Sequence, residues 1–200
     1  MLIIGITGGS GSGKTTLVNE VLKHFPADKI AALHADYYYK DNSHIDIQNR
    51  TSINFDHPDS IEFDLFYKDL FNLSLGQQVS APTYDFITST RKKETICINA
   101  APIVIVEGIL IFHDKRIRDL CHVKAFVDTE PDERLIRIIQ RDMLERGRLL
   151  NEVMERYEQV KSMHVQFVEP VKRFADFIIP QGGNNKAAVD MLVALIKSGP

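Results

Sequence analysis

Eight residues near the start of the chain have the types and spacing to hold a phosphate chain: Gly8, Gly9, Ser10, Gly11, Ser12, Gly13, Lys14 and Thr15. They fit the pattern G-x-x-x-x-G-K-[ST], in which glycines let successive backbone N–H groups turn inward around phosphate oxygens. Lys14 would reach the β- and γ-phosphates of a nucleotide, and the Thr15 hydroxyl would face magnesium. The context supports this reading. Leu2 to Thr7 is short, apolar and β-rich, while Thr16 to Leu22 has helical spacing of apolar residues, so the loop joins a strand to a helix whose positive end adds to the anion site. The loop and Thr16 are thus the expected contacts to nucleotide phosphates. Alone, they leave open what is done with the nucleotide.

Two carboxylates follow the ends of apolar runs. Asp36 comes directly after Ile30–His34 and Ala35, and Glu107 closes Ile103–Val106. Phosphoryl transfer needs a carboxylate near the incoming hydroxyl to orient it and take its proton, and Asp36 is placed either for that task or to cap its loop. Glu107 stands where a carboxylate associated with magnesium is expected. A third group is cationic. Between positions 134 and 148 lie Arg134, Arg137, Arg141, Arg146 and Arg148 against Asp142 and Glu145, five positive charges against two negative, a local charge of +3. Arg134, Arg137 and Arg141 share one helix face by their i, i+3, i+7 spacing. The run is either a solvated face or a set of guanidinium forks for a transferring phosphoryl group, best carried on a lid that closes and excludes water. Finally, Asn54-Phe55-Asp56-His57-Pro58 and Pro82-Thr83-Tyr84-Asp85-Phe86 set aromatic rings beside carboxylates. They suit a flat ligand with hydroxyls, or core packing with loop capping. His34 and His57 are not spaced as metal ligands.

The elements that must position these residues alternate. After the first strand and a helix from about Lys14 to Phe25, Ile30–His34 predicts a second strand, followed by a polar loop from Asp41 to Asn54. Ser60 predicts the cap of a helix from Ile61 to about Leu73, stopped near Gly76. Val79–Tyr84 and Glu94–Ile98 predict a hairpin, with Pro82 on an edge strand. Ile103–Gly108, Val123–Asp128 and Phe177–Pro180 predict three further strands. Helices are expected from Pro131 to near Gly147, from Leu149 to about Phe167, and from Asn184 to Lys197. The pattern predicts an α/β fold with a parallel five-stranded sheet flanked by helices, a β-hairpin insertion at about 77–101 and an arginine-rich helical lid at about 141–160. In such a sheet ligands lie beyond the carboxyl ends of the strands, which brings the loop, Asp36 and Glu107 to one rim.

Composition bounds the rest. The 200 residues suffice for one domain that buries roughly 70% of the surface its unfolded chain exposes. Hydrophobic residues make up 44% and charged residues 26%, with a net charge of −3, which argues against a general nucleic-acid binder. Two cysteines, Cys97 and Cys121, imply no disulfide framework and fit the cytoplasm. The N-terminus reads as a strand and not a signal peptide, and the apolar run Ile103–Phe112 is too short to span a bilayer, so no membrane association is expected.

In order along the chain, the phosphate loop, Asn54–Pro58, Pro82–Phe86, Val106-Glu107-Gly108-Ile109, Arg141-Asp142-Met143-Leu144-Glu145-Arg146-Gly147-Arg148 and Ala175–Gly182 resemble the motifs of the uridine–cytidine kinase family of P-loop kinases. The resemblance implies a P-loop NTPase-type sheet and ATP-dependent phosphorylation of the 5′-hydroxyl of a pyrimidine ribonucleoside, as in pyrimidine salvage. It implies Asp36 as general base, with Thr15, Asp36 and Glu107 around magnesium. Asp56 would hold the ribose hydroxyls, and Phe55, Tyr84 and Phe86 would line the base pocket. Arg141 and Arg146 would reach the ATP phosphates, Arg148 the nucleoside side, and the protein would be a homotetramer. Three positions depart from the family pattern: Ser89 where a base-reading His is usual, Ile138 where a second Arg follows Arg137, and Arg156 where a Gln precedes Tyr157. All three fall on the nucleoside side, and Arg156 could supply the charge that Ile138 lacks. The competing readings are a kinase of a pentose phosphate, similar to phosphoribulokinase, and a nucleotide switch without chemistry. Against the switch, Asn185-Lys186-Ala187-Ala188 lacks the Asp of the N-K-x-D guanine element.

Overall fold

Leu2–Gly8 (β1) is apolar on both faces and buried along its whole length, which suits only the centre of a parallel sheet. A computed structural model describes residues 1–199, without the side chains of Thr51 and Ser52; Pro200, the last residue of the expected domain, lies outside the described residues. Around β1 the strands Ile30–His34 (β2), Ile103–Glu107 (β7), Val123–Asp128 (β8) and Phe177–Pro180 (β9) complete a five-stranded sheet in the order β2-β7-β1-β8-β9. Every pairing within it is parallel.

The period of two divides the core between the faces. Ile3, Leu33, Val104, Val106 and Phe126 point to one side, under Phe63–Ser74 (α2) and Lys115–Leu120 (α3). Leu2, Ile4, Ile6, Ile105 and Val127 point to the other, under Lys14–Leu22 (α1) and Lys186–Ser198 (α6). Each fully buried aliphatic side chain contributes about 1.5–3 kcal/mol, so both helical layers are needed to cover the sheet. Pro131–Glu145 (α4) and Leu150–Met163 (α5) stand apart on a small cluster of Ile138, Val153 and Val160.

Several expectations need correction. Helix α1 ends at Leu22, not Phe25, and a turn fills the residues before Pro26. Ser60 does not cap α2: its hydroxyl donates to the carbonyls of Phe55 and His57, and the helix starts after Glu62. The hairpin is split at Pro82–Thr83 into two ladders. Val79–Ala81 (β3) pairs with Ile96–Ile98 (β6), and Tyr84–Asp85 (β4) pairs with Thr90–Arg91 (β5). Proline cannot donate to a ladder, which accounts for the break. The loop from Asp41 to Asn54 contains a 3₁₀ turn at Ile47–Ser52. Helix α3 was not anticipated. The expected helix to Phe167 ends at Met163 and passes into a π-turn at His164–Val168 and a 3₁₀ turn at Glu169–Phe174. The last helix begins at Lys186, with the Asn185 side chain accepting from the Ala188 N–H.

Candidate active site

The phosphate loop is held from behind. Gly13, at the start of α1, has φ 91°, and a Cβ there would lie 3.1 Å from the backbone nitrogen of Gly183. A Cβ on Gly182 would come even closer to the Ser12 carbonyl. Two glycine runs, one after β1 and one after β9, therefore pack backbone to backbone and leave the N–H groups at the start of α1 for an anion. The Lys14 ammonium is buried and donates to the Gly9 carbonyl at 2.9 Å. Burial holds its pKa below the ordinary lysine value, despite the attraction of Glu107 and Asp36.

Thr15 and Glu107 meet as expected: the Thr15 hydroxyl donates to Glu107 Oε1 at 3.0 Å. A third partner was not anticipated. In the β2–β7 register His34 lies beside Glu107, and its Nδ1 is 2.7 Å from the same oxygen. Burial alone would raise the Glu107 pKa, but the His34 hydrogen bond and charge, Lys14 and Thr15 outweigh it and hold the carboxyl below its ordinary range. For His34, burial opposes the charge, yet the Glu107 hydrogen bond and carboxylate prevail and raise its pKa. Asp36 lies on the 3₁₀ turn Ala35–Tyr38 that leaves β2. Burial, then Glu107, push its pKa up. Among the described residues no cluster of three or more His, Cys, Asp or Glu could hold a metal unaided. One hydroxyl and two carboxylates nevertheless form a hard oxygen set of the kind magnesium uses when phosphates and waters supply its other ligands. The residues present fit that ion.

The arginines close over the loop from α4 and the turn after it. Arg134 is buried with Nε donating to the Thr129 carbonyl at 3.1 Å, and it packs on Gly9. Arg137 Nη1 lies 3.3 Å from the Ser12 carbonyl and 3.4 Å from that of Gly11. These two hold the loop itself. Arg141, Arg146 and Arg148 gather instead on Asp142, which is only 2% exposed. Arg141 Nε stands 2.8 Å and Arg146 Nη1 3.5 Å from Oδ1, and Arg148 Nη1 reaches Oδ2. Burial would raise the Asp142 pKa, but Arg141, Arg146 and Arg148 together hold it below the carboxylate range. In the sequence Asp142 reads as a counter-charge and as part of the Arg141–Arg148 motif, without a role of its own; its i−1, i+4 and i+6 spacing to Arg141, Arg146 and Arg148 is the signal of this one.

A cavity of about 720 Å³ joins these parts to the aromatic wall. Ser10, Gly11, Gly13, Lys14, Thr15 and Thr16 line it from the loop, and Asp36 and Glu107 from the strand ends. Arg141, Arg146 and Arg148 line it from the lid, and Phe55, Asp56 and Phe86 from the remaining wall. Gly8, Gly9, Ser12 and Tyr84 do not line it. Tyr84 backs the wall, in edge contact with Phe55 and Phe86, its hydroxyl accepting from Asn42 Nδ2 at 3.0 Å. Burial raises the Asp56 pKa against the pull of Arg156 and Arg141. Of the three departures from the family pattern, Ser89 is buried outside the cavity with φ 55° and its carbonyl near Asn42. Ile138 and Arg156 line the cavity. Ile138 also packs against Gly11, so it bears on the phosphate side as well.

A parallel sheet, a glycine-rich loop opening a helix and an arginine-bearing helix pair above it define a P-loop protein of the kinase fold. The solved structure of a putative fructose transport system kinase from Silicibacter sp. TM1040 superposes with a TM-score of 0.67 at 19% identity, covering 90% of this chain and 89% of that one. Phosphoribulokinase from Rhodobacter spheroides gives 0.67 at 15% identity, covering 90% of this chain and 69% of that one. The model of the "Phosphoribulokinase / Uridine kinase family" matches residues 3–188, and the chain belongs to that family. It is 48% identical over 197 residues to a uridine kinase of Clostridium novyi (strain NT), covering 98% of this chain and 95% of that protein. It is 47% identical over 197 residues to a uridine kinase of Staphylococcus carnosus (strain TM300), with the same coverage.

Proposed function

We propose that the protein transfers the γ-phosphoryl group of ATP to the 5′-hydroxyl of a pyrimidine ribonucleoside, uridine or cytidine, as a kinase of pyrimidine salvage. The observation that carries this reading is the continuity of the cavity. Asp36 interacts electrostatically with Lys14 on the phosphate side and with Asp56 on the other, so a hydroxyl bound near Asp56 can meet a phosphate bound near Lys14. The 47–48% identity over nearly the whole chain to curated uridine kinases supports the choice of acceptor.

In this reading the backbone of Gly8 to Gly13, with Lys14 and Thr16, holds the ATP phosphates. Thr15, Asp36 and Glu107 hold magnesium, which neutralises phosphate charge when bound. Asp36 orients the 5′-hydroxyl and accepts its proton. Asp56 accepts hydrogen bonds from the ribose hydroxyls, and Phe55 and Phe86 flank the base, with Tyr84 stiffening the wall behind them. Arg141 and Arg146 move from Asp142 toward the phosphates as the lid closes, and Arg148 stays on the nucleoside side. Preorganised charges in a site that excludes water supply most of such a rate enhancement. No helix among the described residues is long and apolar enough to cross a membrane. A cytoplasmic homotetramer acting on small molecules, without nucleic acid, completes the proposal.

A panel measuring ADP release with uridine, cytidine, ribulose 5-phosphate and ribose 5-phosphate tests it. Release stimulated by a pyrimidine nucleoside supports the reading. Release stimulated only by a pentose phosphate replaces it with the phosphoribulokinase-like alternative, and ATP binding with no stimulation by any acceptor replaces it with a switch.

A further inference from the structure

Arg156 is a cation without a close counter-charge in the wall of the cavity. It projects from α5 with its guanidinium carbon 5.2 Å from the centre of the Phe55 ring. Asp56 is the strongest attraction it feels, and Arg156 is the strongest attraction on Asp56. Yet no guanidinium nitrogen comes within 4.0 Å of a carboxylate oxygen, and Arg156 makes no hydrogen bond among the described residues. Its cationic neighbour Arg148 is matched by Asp142. Half-buried, with its donors unengaged by the protein, the guanidinium lines the cavity and can meet a ligand there.

Two opposite charges that attract across a cavity wall but stay apart fit a neutral molecule that donates to the carboxylate and accepts from the guanidinium. An anionic acceptor would meet the Asp56 charge. A pyrimidine nucleoside matches: its ribose hydroxyls donate, and its 2-oxo group, beside the glycosidic bond, accepts. We propose that Arg156 reads the O2–N3 edge of the base and that the site therefore favours cytidine over uridine. The inference rests on the nucleoside reading above and goes beyond it. In cytosine O2 and N3 are adjacent acceptors that a guanidinium fork meets with two parallel N–H bonds. In uracil N3 carries a hydrogen, and the second donor of the fork opposes another donor. Bidentate recognition of a base edge discriminates by roughly tenfold or more.

The test is kcat/KM for cytidine and uridine in the wild type, in Arg156→Gln and in Arg156→Lys, with the Tm and ATP affinity of each protein recorded. The expected wild-type ratio favours cytidine by about tenfold or more. Arg156→Gln should bring it to within about threefold of unity. Arg156→Lys keeps the charge beside Asp56 but loses the fork, so it should lose the preference too, and it serves if the Gln variant does not fold. A wild-type ratio near one or in favour of uridine, or a ratio unchanged in a folded variant, overturns the inference and leaves the nucleoside kinase reading intact. If neither nucleoside stimulates ADP release, both fall.

Discussion

Asp142→Asn removes one negative charge from beneath three guanidinium groups while keeping the side chain's shape. The carboxylate is 2% exposed, and its partners Arg141, Arg146 and Arg148 expose 30%, 14% and 18% of their side chains. Breaking a buried ion pair by deleting one partner costs about 3–5 kcal/mol, because the other charges stay behind unpaired. The partly solvated Arg141 places this case at the lower end, about 3 kcal/mol. At about 2–4 °C per kcal/mol for a chain of this size, the Tm should fall by about 6–12 °C. The three arginines would also repel one another and spread. A misplacement of about 1 Å in phosphate-binding groups costs on the order of 10²-fold in kcat, while nucleoside KM should change far less. Asp142→Glu should recover part of both losses. The contribution has a definite pH sign. The folded-state pKa of Asp142 lies below the unfolded value, so its stabilisation is present above the ordinary carboxylate pKa and is lost as pH falls through the depressed one. Thermal denaturation at pH 7 and at successively lower pH, down through and below the ordinary carboxylate range at about pH 4, with steady-state kinetics at saturating nucleoside at pH 7, reads all of these. A Tm within about 2 °C of wild type together with a kcat within threefold would refute the view that Asp142 organises the lid.

Two other perturbations follow from the same geometry. The pKa of His164 is pushed down to about 4, by burial first and by Arg134 second, and its Nδ1 has no hydrogen-bond partner. An unfolded chain protonates this ring near pH 6.5, so folding stability should drop as pH falls from about 6.5 toward 4. Chemical denaturation across that range should show a shallower decline in His164→Gln, and equal slopes in both proteins would exclude the histidine. Gly13→Ala forces a side chain into φ 91° and toward the Gly183 backbone. Strain of about 1–3 kcal/mol should weaken ATP binding by calorimetry about tenfold or more, and unchanged affinity would mean that the two glycine runs do not set the loop.

Much of this architecture is readable before any coordinates. Ile103–Val106 is apolar on both faces, which only a covered parallel sheet tolerates. The phosphate loop identifies itself because glycine, lysine and hydroxyl at fixed spacing have few other uses. What escaped depended on partners distant in sequence. His34 reaches Glu107 only because β2 happens to pair with β7 in that register, which no local pattern reveals. The family resemblance puts Tyr84 in the base pocket, whereas its ring stands behind the cavity wall in edge contact with Phe55 and Phe86. Lys115–Leu120 carries four charges in six residues and buries only Ile117, too weak an apolar stripe to signal a helix. Ser60 has the right type for a cap, but the carbonyls of Phe55 and His57 compete for its hydroxyl.

The central claim is that Asp36 joins a phosphate site to a nucleoside site. Its most direct test is to identify the product formed from ATP with uridine or cytidine by the wild type and by Asp36→Ala, while measuring ATP affinity for both. The wild type should form the nucleoside 5′-monophosphate, Asp36→Ala should lose nearly all product, and their ATP affinities should agree within a few-fold. Turnover that survives in Asp36→Ala within a few-fold, or a phosphoryl group on any hydroxyl other than the 5′, would contradict it.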